Sequence, residues 1–433
     1  MIKKIFLISL TMNLICQNVF ATSLLEALKQ AYINNPVLNA ERQNIQVSKE
    51  DLNISKSEFF PTVTVSGSQS EEDTKKLTDR SGASSSVTDV NTKSQSVVIE
   101  QKIFQGFAGV AGLQKSKIGL VLADAKLLKV EQEILYKAIE AYSGLVFTNE
   151  KLKINEINLN LLDRQVETDQ ARLERGQITL ADLAQSESSF AGAQAKFIQA
   201  KNETVTAKLE YEKIIGQITN LDALSKKPDF NFKIPDSLNS AIEISKNNNP
   251  DLIIAKLDYE QSEKDILIAR ADLSPSATIS LSSTKTDDLS SSYDESDKEI
   301  AKATISWPIF KGGKNMASVN RSKNLKNRKK LLLDNAVRTN ETNVATAWSS
   351  LQSSKSLLNS VTLQVKAAEI ANEGITVEYE SGLGRSTLDV IQSNSLLLTS
   401  KISLAESERN YLLSQFKLLQ SVGNLKNDYL KLQ

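Results

Sequence analysis

The chain states most of its pattern twice, and the two statements keep a fixed distance. Asn35-Pro36 recurs as Asn249-Pro250, and Pro61 as Pro275, both at an offset of 214. Phe104-Gln105-Gly106 recurs as Phe310-Lys311-Gly312 at 206, as do Ala141-Tyr142-Ser143 (Ala347-Trp348-Ser349) and Gly176 (Gly382). Asp182 and Gln185 return as Asp389 and Gln392 at 207. Offsets this constant mark one structural unit duplicated, with length changes confined to loops. The second copy is eight residues shorter between Ser66 and Phe104 (214 − 206 = 8) and one longer between Gly176 and Asp182. Repeats of solenoids run to about 50 residues, so each copy here is a full set of elements. We place the first at 22–232 and the second at 233–433.

Residues 1–21 read as a secretory signal peptide. Lys3 and Lys4 form a basic end, Ile5 to Ile15 an apolar run, and Val19-Phe20-Ala21 a small-residue cleavage site. The run is too short to span a bilayer. Cys16, the only cysteine, would leave with it; lipidation of Cys16 is the alternative, opposed by the bulky Ile15 before it. The remaining chain has neither cysteine nor histidine, which removes the usual ligands of zinc and haem and most nucleophile–base dyads. No cofactor is expected, and an enzyme is disfavoured. Removing two lysines takes the formal balance from 52 against 52 to 50 Lys+Arg against 52 Asp+Glu, which offers nucleic acid no electrostatic footprint.

Each copy opens with a helical stretch, Ser23 to about Asn34 and Ser237 to about Asn248, broken by Asn-Pro. A second helix runs from Pro36 to about Ser57, and from Pro250 to about Leu273, with proline at its first position. After Pro61 and Pro275 the period changes to two. Val63 and Val65 alternate with Thr62, Thr64 and Ser66; Ile279 and Leu281 alternate with Thr278, Ser280 and Ser282. A polar tract follows (about 68–94 and 284–297), expected to be a mobile loop, and then a second alternating run through Val97, Ile99 and Ile103, or Ala301, Ala303 and Ile305. The hairpins so predicted span about 62–104 and 276–310. Such strands fit a membrane β-barrel, and equally a soluble hairpin with one buried face.

The stretch from Gly106 to Gly176, and its equal from Gly312 to Gly382, contain no proline. A helix of that length reaches roughly 100 Å. Leu152, Leu159, Val166 and Leu173 fall seven apart, a seam for a partner helix. Asn155 and Asp169 occupy positions in that seam that would otherwise be apolar, so a partly hydrated wall is expected. Tight turns at Arg175-Gly176 and Gly382-Leu383-Gly384-Arg385 then send the chain back as helices over about Leu183–Ile215 and Val390–Val422. The helical hairpins thus cover 106–216 and 312–423. The shorter helix before Pro61 can stack end to end on the returning helix to match the long one. Four strands cannot close a barrel in lipid. If the strands lie in membrane, three subunits giving twelve strands are needed.

At Asn35-Pro36-Val37-Leu38, Asn249-Pro250-Asp251-Leu252, Phe104-Gln105-Gly106, Pro308-Ile309-Phe310-Lys311-Gly312, the run Gly382–Val390 and the run Tyr411–Leu425, the chain resembles the TolC family of outer membrane efflux channels. The resemblance covers essentially the whole chain after residue 21. It implies a fold that is mainly α with membrane β: an internally duplicated protomer giving four strands to a trimeric twelve-stranded barrel and four helical rods to a long periplasmic α-helical barrel. It implies a homotrimer in outer membrane lipid, a periplasmic adaptor, and an inner membrane efflux pump or ABC exporter of a type I secretion system as partners. The chain would be a passive exit duct.

In that family the periplasmic ends close like an iris. By position, Asp389 matches the first ring aspartate, Arg385 the bonding arginine and Asp182 its first-copy partner, while Gln392 replaces the second ring aspartate. Thr179-Leu180-Ala181-Asp182 and Ser386-Thr387-Leu388-Asp389 are also capping-box patterns, a helix-start role compatible with the first. Arg175, Gly176, Gly382 and Gly384 are candidate adaptor-docking turns, though glycine at a helix end is ordinarily a C-cap. Phe59, Phe60, Phe104, Trp307 and Phe310 are candidates for a membrane-interface aromatic belt. Six cations between Arg321 and Lys330 read as a solvated helix face or an anion-attracting lining. The rival to the duct is a secreted or periplasmic coiled-coil rod with hairpin heads. Cysteines placed singly at Ile279 and Ser280 separate the two: a barrel exposes the first to a lipid-soluble reagent and the second to a water-soluble one, whereas a rod gives equal aqueous labelling.

Overall fold

Two helices of 67 residues set the length of the molecule, α3 (Ala108–Glu174) and α7 (Lys314–Glu380), each roughly 100 Å at about 1.5 Å per residue. The computed structural model describes residues 23–78, 80–82, 85–218, 220–226, 228, 232–290 and 293–431. The signal-peptide and Cys16 expectations lie outside the described residues. Before α3 come α1 (Leu24–Asn34), α2 (Pro36–Ser57) and the strands β1 (Thr62–Thr78) and β2 (Ser85–Gln105); after it comes α4 (Leu180–Ile214). The second copy repeats the order with α5 (Leu238–Asn248), α6 (Pro250–Ala271), β3 (Ser276–Ser290), β4 (Tyr293–Ser306), α7 and α8 (Thr387–Ser421), closed by a short α9 (Asn427–Leu430). Among the described residues, no helix is long and apolar enough to cross a membrane.

The strands form one antiparallel sheet in the order β1-β2-β3-β4, leaving β1 and β4 as edges. Thr62 stands opposite Glu100 and Ser276 opposite Ser306, so the hairpin register repeats at the sequence offsets (276 − 62 = 214; 306 − 100 = 206). Cross-strand pairing collects Val63, Val65, Val97, Ile99, Ile279, Leu281, Ala301, Ala303 and Ile305 on one face. Thr62, Thr64, Ser66, Ser96, Thr278, Ser280, Lys302 and Thr304 take the other. The apolar face is bare; Ile305 is 77% exposed.

The polar tracts correct an expectation. They are strand, not mobile loop: β1 and β2 run on past Ser68 to Thr78 and back from Ser85, and β3 and β4 nearly meet at Ser290 and Tyr293. Period two vanishes from the sequence because both faces are polar there. The ladder persists all the same, with cross-strand bonds such as Gln69 Nε2 to Asn91 Oδ1 (2.9 Å) and Ser94 with Thr286 (3.4 Å).

The helices form a palisade below the sheet. Near the sheet, neighbours pack in the order α2–α3–α6–α7; further down, α4 lies on α3, α3 on α8, and α8 on α7. The two levels meet at the Asn-Pro pairs. The Asn35 Oδ1 accepts from the amides of Val37 (3.0 Å) and Leu38 (3.4 Å), capping α2, while its Nδ2 donates to the Ile214 carbonyl at the end of α4 (3.3 Å). Asn249 repeats this with Asp251 (2.9 Å), Leu252 (3.3 Å) and the Ser421 carbonyl of α8 (2.9 Å). One amide therefore closes the start of an upper helix and the end of a lower one. Gly423, at φ +82°, lets the α8 end approach α5: a Cβ there would sit 2.2 Å from the Asn248 oxygen. The main apolar core lies at this level, with Leu28, Leu38, Leu135, Ile139, Tyr142, Tyr211, Phe416 and Leu425 buried. The returning helices start at Leu180 and Thr387, about a turn before the expected Leu183 and Val390, because their capping boxes lie upstream.

Replacing Asn249 by alanine removes a cap and a helix-end bond, a loss of about 1–2 kcal/mol. Asn249→Asp keeps the acceptor and should lose roughly half as much. Reversible thermal unfolding in detergent distinguishes the two.

Candidate functional site

The lower ends of the helices are where the chain turns back, and capping chemistry shapes both turns. The Asp182 carboxylate accepts from the Thr179 backbone N–H (2.9 Å) and Oγ1 (2.7 Å), while the Asp182 N–H donates to Thr179 Oγ1 (3.3 Å). Asp389 does the same with Ser386, at 2.9, 2.8 and 3.2 Å. Both carboxyls are held below the usual aspartate range, first by the bond from the capping residue's backbone and then by its hydroxyl; at Asp389 the Arg385 charge adds to this. The Arg385 Nε donates to Glu378 Oε2 at 2.6 Å, an ion pair back to α7 of its own chain. Gln392 is exposed on α8, one turn beyond Asp389.

The turn residues are open. Arg175 caps the end of α3 and is exposed; Gly176 (φ +67°), Gly382 (φ +74°) and Gly384 (φ +81°) have free space around them. The aromatic candidates sit where sheet meets helices. A bulge between Lys102 and Phe104 brings Phe104 opposite Ala277, and its ring packs edge-on against Phe107 (5.4 Å). Phe59, beside Gly109, and Phe60 precede β1. Trp307 directly follows the last residue of β4 and Phe310 lies three further on, so the second hairpin ends at Ser306, short of the expected 310: Pro308 has no N–H for a ladder. The Trp307 indole donates to the Leu273 carbonyl (3.1 Å) with the residue 63% exposed. Of the six cations between Arg321 and Lys330, Lys326 pairs with Glu263 (2.8 Å) and Lys329 with Asp258 (2.5 Å) on α6; Arg321, Lys323, Arg328 and Lys330 are exposed.

Asp169 corrects the expectation of a partly hydrated seam. It is 0% exposed, held by partners from two other helices and its own. Gln165 Nε2 donates to both of its oxygens (3.0 Å each), Ser186 Oγ of α4 to Oδ2 (2.5 Å), and the Tyr379 hydroxyl of α7 to Oδ1 (3.2 Å). That hydroxyl also meets Thr387 Oγ1 of α8 (3.0 Å), and the Arg172 guanidinium lies 4.4 Å over the Tyr379 ring. Asn155, 2% exposed, turns its amide to the Lys151 carbonyl (2.7 Å). Sequence pattern does not single out Asp169, Tyr379, Ser186 or Glu378 as site residues; the polar seam position at Asp169 is the available signal. The node ties both helical hairpins together one turn above their ends. Tyr379→Phe keeps the ring under Arg172 and removes the bond to a carboxylate, a loss of about 1.5–3 kcal/mol. Faster amide hydrogen exchange confined to 372–392 is the expected result.

Among the described residues, no group of side chains could hold a metal ion. The family described as outer membrane efflux protein matches residues 27–217 and 241–424, one block per copy. The chain is 25% identical to the outer membrane efflux protein BepC of Brucella suis over 419 residues, covering 96% of this chain and 89% of that one. It is 21% identical to the alkaline protease secretion protein AprF of Pseudomonas aeruginosa over 426 residues, 97% and 88%. The crystal structure of the Campylobacter jejuni CmeC outer membrane channel superposes with a TM-score of 0.80 at 16% identity, covering 93% of this chain and 85% of that one. One family block falls on each copy of the duplicated fold, the family is one of channel proteins and not of enzymes, and this chain belongs to the outer membrane efflux protein family.

Proposed function

We propose that three copies of the chain close a twelve-stranded barrel in the outer membrane, continued into the periplasm as a tube, and that the assembly is a passive exit duct. The observation that carries this is the pair of open edges on β1 and β4 beside a bare apolar face. Each unpaired backbone group in hydrocarbon costs several kcal/mol, so a four-stranded sheet must find partners there. Two copies give eight strands, whose interior fills with side chains; three give a lumen. The sheet's second face, mostly polar with Thr64, Ser66, Ser280 and Lys302 beside Val98 and Ile300, suits a wet interior.

At the other end, the exposed turns at Arg175, Gly176, Gly382 and Gly384, with open space around their glycines, are where a periplasmic adaptor docks and joins the duct to an inner membrane efflux pump or ABC exporter. Relatives named for efflux and for protease secretion support either transporter class. Arg385, with Asp389 and Asp182 nearby on the turns, belongs to the gate of the closed state; Gln392 leaves each protomer one carboxylate fewer there.

The test is conductance in planar bilayers together with particle images. Threefold cylinders with a tube of roughly 100 Å below a detergent belt are expected; single detergent-free rods would overturn the duct. Arg385→Ala removes the exposed pair with Glu378 and should raise closed-state leakage modestly. Glu378→Gln should match it. Unchanged conductance in both removes Arg385 from the gate.

A further inference from the structure

The two sides of the sheet differ in burial and in charge. Along β3, Thr278, Ser280, Ser282 and Thr284 are half-buried and Thr286 is buried, whereas Ile279, Leu281, Ser283 and Lys285 between them are exposed. Along β2, Thr92, Ser94, Ser96 and Val98 are half-buried, while Lys93, Gln95, Val97 and Ile99 are exposed. Small hydroxyl side chains are covered in this way where neighbouring strands lean together, so they mark the concave side of the sheet. Closing the ring proposed above turns that side inward.

The strand register gives the charges of that wall row by row. Lys102, Thr278 and Thr304 share the lowest row. Thr62, Glu100, Ser280 and Lys302 form the next, and Thr64, Val98, Ser282 and Ile300 the one above. Ser66, Ser96, Thr284 and Lys298 make the fourth. The first three rows lie at the height of the outward Ile99, Ile279, Leu281 and Ala301, and the fourth at the upper edge of that apolar band. Each copy thus lines these rows with three lysines, Lys102, Lys298 and Lys302, against one carboxylate, Glu100. All four are exposed, and Glu100 stands two strands from Lys302, roughly 9.6 Å across Ser280. Among the described residues, none of the three lysines is in an ion pair.

The outward face has the opposite sign above the apolar band, with Asp287, Glu295, Asp297 and Glu299 beside Lys285. Charge is therefore sorted by face, and the basic share lies on the concave side. Beneath the sheet the sign continues: from Lys311 to Lys330 the chain has eight cations and no carboxylate, and only Lys326 and Lys329 are paired with α6. We propose that Lys102, Lys298 and Lys302 make the barrel lumen an anion-preferring filter, so that the duct favours anionic cargo; this rests on the ring closure above. Twelve strands about 4.8 Å apart and tilted about 40° put the backbone roughly 12 Å from the axis. Lysines reaching inward from there bring their charges nearer the axis than the Debye length of about 8 Å at physiological salt, so a passing ion feels them throughout. Walls of low dielectric focus that field, and lysine rings select anions in pores.

The test is the reversal potential of the full chain in planar bilayers across a KCl gradient, each variant first being confirmed as a threefold particle. The unsubstituted chain should pass chloride more readily than potassium. Raising the salt to about 1 M, where the Debye length falls to about 3 Å, should weaken that preference. Lys102→Gln, Lys298→Gln and Lys302→Gln together leave Glu100 as the charge of these rows and should reverse the sign, whereas Glu100→Gln should strengthen the preference for chloride. Lys93→Gln with Lys285→Gln removes two lysines from the outward face of the same sheet and should leave the potential where it was. A duct that conducts but prefers potassium overturns the filter and leaves the ring standing. So does a preference that follows Lys93 and Lys285 instead of Lys102, Lys298 and Lys302. If the chain forms neither threefold particles nor pores, the ring and the filter fall together.

Discussion

A helix of 67 residues cannot be covered along its length by one helix that must also feed a membrane strand, and the amides of Asn35 and Asn249 resolve that conflict. Each takes two backbone donors from the start of one helix and gives a proton to a carbonyl at the end of another. The result is a composite rod alongside each long helix, α2 stacked on α4 in the first copy and α6 on α8 in the second. Its segments arrive from opposite ends of the copy, and together they nearly match the partner's length. Orphan groups at both helix ends would otherwise face the core around Leu38, Tyr142 and Tyr211 unpaired. Proline at the next position costs nothing there, because its missing N–H is one that no helix start could use. The tube wall, the placement of the sheet above it and the turns below it all hang on these two joints.

Much of this is legible in the chain alone because its causes are local. Asn-Pro acts on its own neighbours, and the absence of proline from Gly106 to Gly176 permits a long helix wherever the partner lies. What cannot be read has distant or cancelled causes. Past Ser68, β1 carries polar residues on both faces, so the period that identifies a strand is absent although the ladder continues to Thr78. The second hairpin reads as running to about 310, yet the strand ends at Ser306, two residues before Pro308. Asp169 is visible as an odd residue in an apolar seam, but its Tyr379 partner is far along the sequence in the other copy and its Ser186 partner lies beyond a turn. Only the fold brings them together. The capping boxes are plain in pattern, and both aspartates commit their carboxylates to helix starts.

The two levels of the palisade are held by different chemistry. Near the sheet, α6 is stitched to both neighbours by charge pairs: Lys115–Asp265 and Lys129–Asp251 to α3, Lys326–Glu263 and Lys329–Asp258 to α7. Several such pairs spaced along one helix hold its rotation and height, although each alone is weak. Near the turns, the two hairpins share the Asp169 node, which joins all four helices at one height.

That difference decides where the molecule can move. An apolar seam tolerates small sliding, since its attraction has no direction. A carboxylate with its donors fixed on three helices has one satisfied arrangement, and displacing α7 by even an ångström or so leaves a buried charge short of a partner. The node therefore has a single geometry and not a range. Its loss is tolerable only where water can replace the missing donors, and the node sits about a turn above exposed Arg175 and Gly382. Opening at the sheet end would instead require breaking ladder bonds and several ion pairs at once. The long helices α3 and α7 run unbroken past the joints, while the composite rods beside them change helix at Asn35 and Asn249. The wall is thus held by many weak pairs near the sheet and by one discrete node near the turns, with the joints between them.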